Sequence, residues 1–329
     1  MGFKGLVSVK EADSIVTTLI DLDDSYLMPG EVTVDVEYST INYKDAMAIS
    51  GRAAVMETFP LIPGIDLAGT VTASDCQGVE IGDRVVVNGW GLSQRHHGGY
   101  AQRARVPGSW VVGLPDRFST LEAMAVGTAG YTAMLCVLAL EHGGLTPEHG
   151  PVLVTGANGG VGSIAIALLS DLGYKVIAST GRLDEADYLR SLGASEIIDR
   201  TTLSEPVEPI AEECWAGAVD SVGSHTLANV IAHTSARGVV AACGLAQGTD
   251  LPTSVLPFIL RNVTLAGIDS VNAPIDVRRH AWARLATDLD GDKLARATRV
   301  VGLPEVPGLV EPLLSGRVRG RTVVDVNAL

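Results

Sequence analysis

Pro151-Val152-Leu153-Val154-Thr155-Gly156-Ala157-Asn158-Gly159-Gly160-Val161-Gly162 is the stretch whose reading decides the fold. Pro151–Thr155 is a short apolar strand, and an apolar helix follows over Ser163–Leu172. The glycines between them have no Cβ, so the backbone can turn sharply and approach a pyrophosphate closely. Free N–H groups at the helix start and the helix dipole then stabilise the phosphate charge. A glycine-rich loop alone is also compatible with a tight turn. Here a strand precedes it, a helix follows, and a second strand comes next at Lys175–Ser179, which is the context of a dinucleotide fingerprint.

Working outward, the alternation continues. A helix is expected over Leu183–Leu192, stopped by Gly193, followed by Ala218–Val222, His225–Ser235 and Gly238–Cys243. Strands alternating with helices imply a doubly wound parallel sheet, because parallel neighbours need helical crossovers. Upstream the chain reads differently. Glu31–Tyr38 alternates apolar and polar residues as a half-buried strand does, and Ala68–Ala73 and Asp83–Asn88 are further β runs. Pro29-Gly30, Pro63-Gly64 and Gly82-Asp83 supply turns between them. The final run, Arg321–Val326, alternates again and is expected to return to this β-rich part. Ala123–Leu140 is the most apolar stretch, but Gly127, Thr128, Gly130 and Thr132 interrupt it. It reads as a buried helix linking two domains rather than a membrane span.

The bulk properties narrow the function classes. The chain has 329 residues, 47% of them hydrophobic and 19% charged, enough for two packed domains. A net charge of −14 argues against a general nucleic-acid binder or a peripheral membrane protein. Met1–Lys10 has no basic segment leading into an apolar run, and a cytoplasmic protein is expected. Cys76, Cys136, Cys214 and Cys243 form no C-x-x-C pair, so they read as reduced, mostly buried thiols rather than a structural zinc site.

The end of the second strand distinguishes the dinucleotides. An NAD site usually carries Asp or Glu there, about 20 residues past the glycines, to hold the ribose 2′-hydroxyl. This chain has Ser179-Thr180-Gly181-Arg182 instead, with Arg200 beyond the next strand. Hydroxyls and guanidinium groups suit a 2′-phosphate, so NADPH is the expected cofactor. Arg182 as a merely solvated residue is the bland alternative, but an arginine beside a helix N-terminus is unfavourable unless an anion is present.

Asn42-Tyr43-Lys44-Asp45, Pro60–Val71 (PLIPGIDLAGTV), Gly82-Asp83-Arg84-Val85, Gly98-Gly99-Tyr100-Ala101, Gly127–Tyr131 (GTAGY), Cys243-Gly244-Leu245 and Gly267–Val271 (GIDSV) accompany the glycine loop in order. With these motifs the sequence resembles the medium-chain dehydrogenase/reductase superfamily. More narrowly, it resembles the NADPH-dependent acrylyl-CoA reductase family, which is grouped with the quinone oxidoreductases. The resemblance runs along essentially the whole chain. It implies a GroES-like catalytic domain over residues 1–123 and 260–329 and a Rossmann NADPH-binding domain over residues 124–259. Homodimerisation is implied too, with Leu251–Leu260 as a candidate edge strand and loop at the interface.

Zinc-dependent relatives carry Gly-His-Glu where this chain has Gly64-Ile65-Asp66, and a cysteine ligand in the loop occupied here by Asn42-Tyr43. The resemblance therefore implies no catalytic metal. His96 and His97 read as loop residues, solvated in the plainer reading and near substrate phosphates in the alternative. Cofactor contacts implied by the family fall on Tyr43, Asn158, Gly159, Gly160, Val161, Thr180, Gly181, Arg182, Arg200, Leu245, Ile259 and Ser270. Relatives often have an Asn four residues before the Gly of a Gly-Arg pair; here Gly316 precedes Gly320-Arg321, leaving no such contact.

The expected reaction is hydride transfer to the β-carbon of a short enoyl-CoA, with protonation of the resulting enolate. Tyr43 is the candidate catalytic donor, because a phenol stays protonated at neutral pH. Its alternative role is only to stack on or hydrogen-bond the cofactor. Asn42 and Arg52 are candidate substrate contacts; Arg52, Arg95, Arg103 and Arg105 could meet coenzyme A phosphates or be solvated surface residues, and Asn42 and Asp45 also read as residues that shape the loop. Reduction of a quinone or another enone is the competing activity, and a non-catalytic NADPH-binding protein is the competing class.

Overall fold

A computed structural model describes residues 2–12 and 14–329, which divide into two compact units. The first comprises residues 1–128, 271–286 and 298–329, and the second residues 129–270 and 287–297.

The first unit opens with a hairpin of β1 (Phe3–Glu11) and β2 (Ser14–Leu22). Then come β3 (Val32–Thr40), α1 (Tyr43–Ser50), β4 (Asp66–Ser74), β5 (Arg84–Asn88), β6 (Arg103–Val106) and β7 (Val112–Gly113). In β3 the Val32, Val34 and Val36 side chains are buried while Thr33, Asp35 and Glu37 are half-buried, the period-two pattern of a one-sided sheet. Helix α2 (Thr120–His142) leads into the second unit. It is long and apolar enough to cross a membrane, but it is mostly buried in the protein. Gly127 breaks it with φ 50° and ψ −163°, a conformation that needs glycine.

In the second unit the order is β8 (Val152–Val154), α3 (Gly160–Asp171), β9 (Val176–Thr180), α4 (Ala186–Leu192) and β10 (Glu196–Asp199). It continues with β11 (Trp215–Asp220), α5 (Ser224–Ala232), β12 (Thr234–Ala242), α6 (Leu256–Leu260) and β13 (Thr264–Gly267). The strands are parallel in the order β10-β9-β8-β11-β12-β13. Counted within the unit this is 3-2-1-4-5-6, the Rossmann order. β8, β9 and β11 are buried along their whole lengths, as strands covered on both faces must be.

The chain then forms α7 (Ile275–Asp288), α8 (Gly291–Ala297), β14 (Thr298–Gly302), α9 (Val306–Leu314) and β15 (Arg321–Asp325). β15 pairs antiparallel with β3, completing a sheet of order β14-β15-β3-β4-β5-β7, with β6 also on β3.

Two expectations need correction. The second unit does not end at 259: β13 is the last strand of its parallel sheet, so it continues to Ser270. Leu251–Leu260 contains no strand but the short helix α6, whose Pro257 occupies the first turn, where a missing N–H is harmless.

Candidate active site

Parallel strands put all their C-terminal ends on one sheet edge, and that edge assembles the nucleotide residues. The glycine loop follows β8, Thr180–Arg182 ends β9, Arg200 follows β10, Leu245 follows β12 and Ser270 follows β13. Ile259 does not join them. It lies on α6, which leads into the start of β13, and the neighbouring Arg261 donates to the Ala232 and Thr234 carbonyls before and at the start of β12.

The loop is tight. Gly159 N–H donates to the Gly156 carbonyl at 2.8 Å, and a Cβ on Gly162 would lie 2.4 Å from that same oxygen. Thr180 Oγ1 donates to Asn158 Oδ1 and accepts from Arg182 N–H at 2.9 Å, tying the first loop to the end of β9. Among the described residues, Asn158 Nδ2 and Ser179 Oγ are buried with no partner within the protein. Unpaired buried polar groups cost free energy, and Asn158, within the glycine loop, is the one of the two that stands in the expected nucleotide contact set. The register pairs Asp199 with Thr180, so Arg200 stands beside Gly181. A Cβ there would come within 2.5 Å of Arg200 Nε. Thr201 N–H and Oγ1 hold the Asp199 carboxyl below its usual range. The strand end thus carries Arg182 and faces Arg200, and these two guanidinium groups suit an NADPH 2′-phosphate, while the Thr180 hydroxyl is spent on holding Asn158.

In the first unit Tyr43 is the first residue of α1 and its side chain is 46% exposed. Asn42 caps the helix, with its N–H donating to Asp45 Oδ2 at 2.8 Å. The Asn42 amide is committed at both ends: Nδ2 donates to Asp66 Oδ2 at 2.7 Å and to Asp45 Oδ2 at 3.1 Å, while Oδ1 accepts from Arg321 Nη1 at 3.2 Å. A substrate contact by Asn42 is therefore disfavoured; it is a buried tie that sets the position of Tyr43. Asp66 also accepts from Asn88 Nδ2 at 2.7 Å and from Thr128 Oγ1 and N–H at 2.6 and 3.0 Å. Arg321 further donates to Thr40 Oγ1 and the Ala125 carbonyl, both at 2.9 Å. Burial, then the Asp66 carboxylate, push the Asp45 carboxyl up to about 7.

Sequence reading missed this buried network. Its signal was the presence of Asp66, Asn88 and Arg321 at the ends of otherwise apolar strands, where an unpaired polar group is not tolerated. Two further expectations are corrected, for the histidines and for the cysteines. His96 and His97 are not solvated: His97 stacks on Tyr26 with centroids 5.0 Å apart and accepts from Ile62 N–H, and burial pushes it down to about 4. Of the free cysteines only Cys136 is buried. Arg52 stands apart from these corrections: it follows the end of α1, half exposed, with Nη2 paired to Glu311 at 2.7 Å.

Residues 28–116 match the alcohol dehydrogenase GroES-like domain family, and residues 160–287 match the zinc-binding dehydrogenase family. The chain is 51% identical to acrylyl-CoA reductase AcuI of Ruegeria pomeroyi over 329 residues, covering 99% of this chain and 100% of the relative. It belongs to the acrylyl-CoA reductase family.

Solved structures of similar proteins have the same fold. The yhdH oxidoreductase from Salmonella enterica, in complex with NADP, is 48% identical with a TM-score of 0.96, covering 99% of each chain. The Bacillus subtilis protein yhfP, with NAD bound, is 43% identical with the same TM-score and the same coverage. Proteins similar to this chain have thus been crystallised with either dinucleotide. The β9 end, which lacks a carboxylate and faces Arg200, is the feature of this chain that bears on the choice.

Proposed function

We propose that this acrylyl-CoA reductase family member reduces the α,β double bond of a short enoyl-CoA, chiefly acryloyl-CoA to propanoyl-CoA, with NADPH as the electron donor. The full-length identity to the Ruegeria pomeroyi enzyme carries this reading. The Arg200–Gly181 juxtaposition supports the cofactor choice. NADPH would be held by the loop Asn158–Val161, by Thr180–Arg182 and by Arg200, and it supplies the hydride for the β-carbon.

The protein's own part is to position the substrate, stabilise charge and deliver a proton. Negative charge develops on the thioester oxygen as the β-carbon gains hydride, so a donor near that oxygen or the α-carbon accelerates the reaction. We assign that role to Tyr43, whose hydroxyl is carried on an exposed side chain at the start of α1. Asn42 and Asp45 fix the helix start, and Arg321 and Asp66 hold Asn42. Burial and full hydrogen bonding of this network limit its motion, which favours a preformed site. The proposed chemistry is metal-free. Its support is the residue set: Ile65 and the Asn42-Tyr43 loop stand at the positions of His and Cys ligands, and Asp66 is engaged by Asn42, Asn88 and Thr128.

We also propose a cytoplasmic homodimer that buries the apolar residues exposed on and beside α6, namely Val255, Leu256, Ile259 and Leu260, next to the edge strand β13. Light scattering checks it, and a monomer would contradict it. The activity is tested by the fall in reduced-nicotinamide absorbance with acryloyl-CoA. Quinone reduction without acryloyl-CoA turnover would replace the substrate while keeping the cofactor.

A further inference from the structure

We propose that Arg52 and Arg317 form a phosphate-binding row for the coenzyme A end of the substrate, an inference that rests on the acyl-CoA reading above. Helix α9 packs along α1. Glu311, in its last turn, and Ser315, its C-cap, are four residues apart and so share one helix face. The Ser315 N–H closes the last helical turn on the Glu311 carbonyl at 3.0 Å, and its hydroxyl donates to the same oxygen at 2.8 Å. Arg52 Nη2 reaches the Glu311 carboxylate at 2.7 Å, and Arg317 Nε donates to Ser315 Oγ at 2.8 Å. Two arginines 265 positions apart in the chain are therefore tied to side chains on one face, about one helical turn, or roughly 6 Å, apart.

The placement suits an acyl-CoA. Tyr43 opens α1 and Ser50 closes it, seven steps of 1.5 Å later, so Arg52 and the row lie just past the far end of a helix about 10 Å long. An acyl-CoA has the same layout, with a reacting thioester at one end of the pantetheine arm and phosphates at the other. The Arg52–Glu311 contact uses Nη2 alone, which leaves Nε and Nη1 without a protein partner among the described residues. Both side chains of this pair are more than half exposed, at 52% and 62%, so the pair adds little to stability and yields readily to a stronger anion. Phosphate is such an anion, because guanidinium binds it bidentately. Glu311 holds Arg52 in place but opposes the incoming negative charge. In a chain of net charge −14, a local cationic row is what a polyanionic substrate requires.

The test compares acryloyl-CoA with the acryloyl thioester of pantetheine, which lacks the phosphates. Arg52→Ala/Arg317→Ala should raise KM for acryloyl-CoA about tenfold or more, leaving kcat, KM for NADPH and all pantetheine-thioester kinetics unchanged. Glu311→Gln should lower KM for acryloyl-CoA, and added salt should raise it in the parent protein but not in the double variant. An unchanged KM in the double variant overturns the proposal, as does an equal change with both thioesters. A rise in KM for NADPH alone would assign the arginines to the cofactor's phosphates and also overturn it. Turnover of neither thioester by the parent protein instead removes the acyl-CoA reading on which the proposal rests.

Discussion

Replacing Gly181 with alanine isolates the 2′-phosphate contact from the rest of the nucleotide site. Gly181 is not among the glycines with positive φ, so alanine suits its backbone. The new methyl carbon would lie 2.5 Å from Arg200 Nε and 2.9 Å from Cδ and Cζ. These atoms form the far end of an exposed, flexible side chain, so the guanidinium moves and the sheet stays. A charge-assisted hydrogen bond contributes about 1.5–3 kcal/mol, and each 1.4 kcal/mol is a factor of ten. Losing one such bond should raise KM for NADPH about 10- to 100-fold. NADH has no 2′-phosphate, so its kcat/KM should stay near the parent value. Initial rates with each cofactor at saturating acryloyl-CoA give the comparison, and a thermal melt confirms the fold. An unchanged KM for NADPH in a folded Gly181→Ala protein would refute the assignment of Arg200. Equal losses with both cofactors would refute the claim that the contact is specific to the phosphate.

Other consequences follow from the same geometry. Arg182→Ala should narrow the preference for NADPH over NADH, and a preserved preference would remove Arg182 from the site. Tyr43→Phe should lower kcat about 10²- to 10⁴-fold if the phenol donates the proton; normal turnover would leave it only a cofactor-positioning role. Arg321→Met strands the carbonyl of Asn42 and the acidic pair Asp45–Asp66, and should destabilise the fold by about 3–5 kcal/mol in urea unfolding; parent-like stability would show the network to be dispensable. Burial raises the Asp45 carboxyl from its ordinary 3.8 to about 7, so the folded state binds more protons than the unfolded state between those values. Its contribution to stability is therefore full below about 4 and is lost as pH rises through about 7. Stability measured across this window should fall less steeply in Asp45→Asn, and an identical slope would contradict the assignment.

What the sequence made legible was local. The strand, glycine loop and helix of 152–171 lie within one short stretch, and the alternation of Glu31–Tyr38 directly marks its buried face. The Thr180–Arg182 run is equally compact. What escaped was long-range. Asn42 meets Arg321 across 279 positions, and Asn88 meets Asp66 from a neighbouring strand, so no spacing rule links them. Only strand pairing sets Arg200 beside Gly181. Ile259 was displaced for a similar reason: its chain position near the cofactor motifs does not convey that α6 precedes β13 at the far edge of the sheet. The acid beside Arg52 lay equally far off, because α9 brings Glu311 back onto α1.

The most direct test of the account is the rate of NADPH oxidation with acryloyl-CoA, measured beside the same reaction with NADH and with a simple quinone. Rapid turnover of acryloyl-CoA is expected, with a kcat/KM well above those of the quinone and of NADH. Quinone reduction with no acryloyl-CoA turnover, or equal use of NADH, would contradict it.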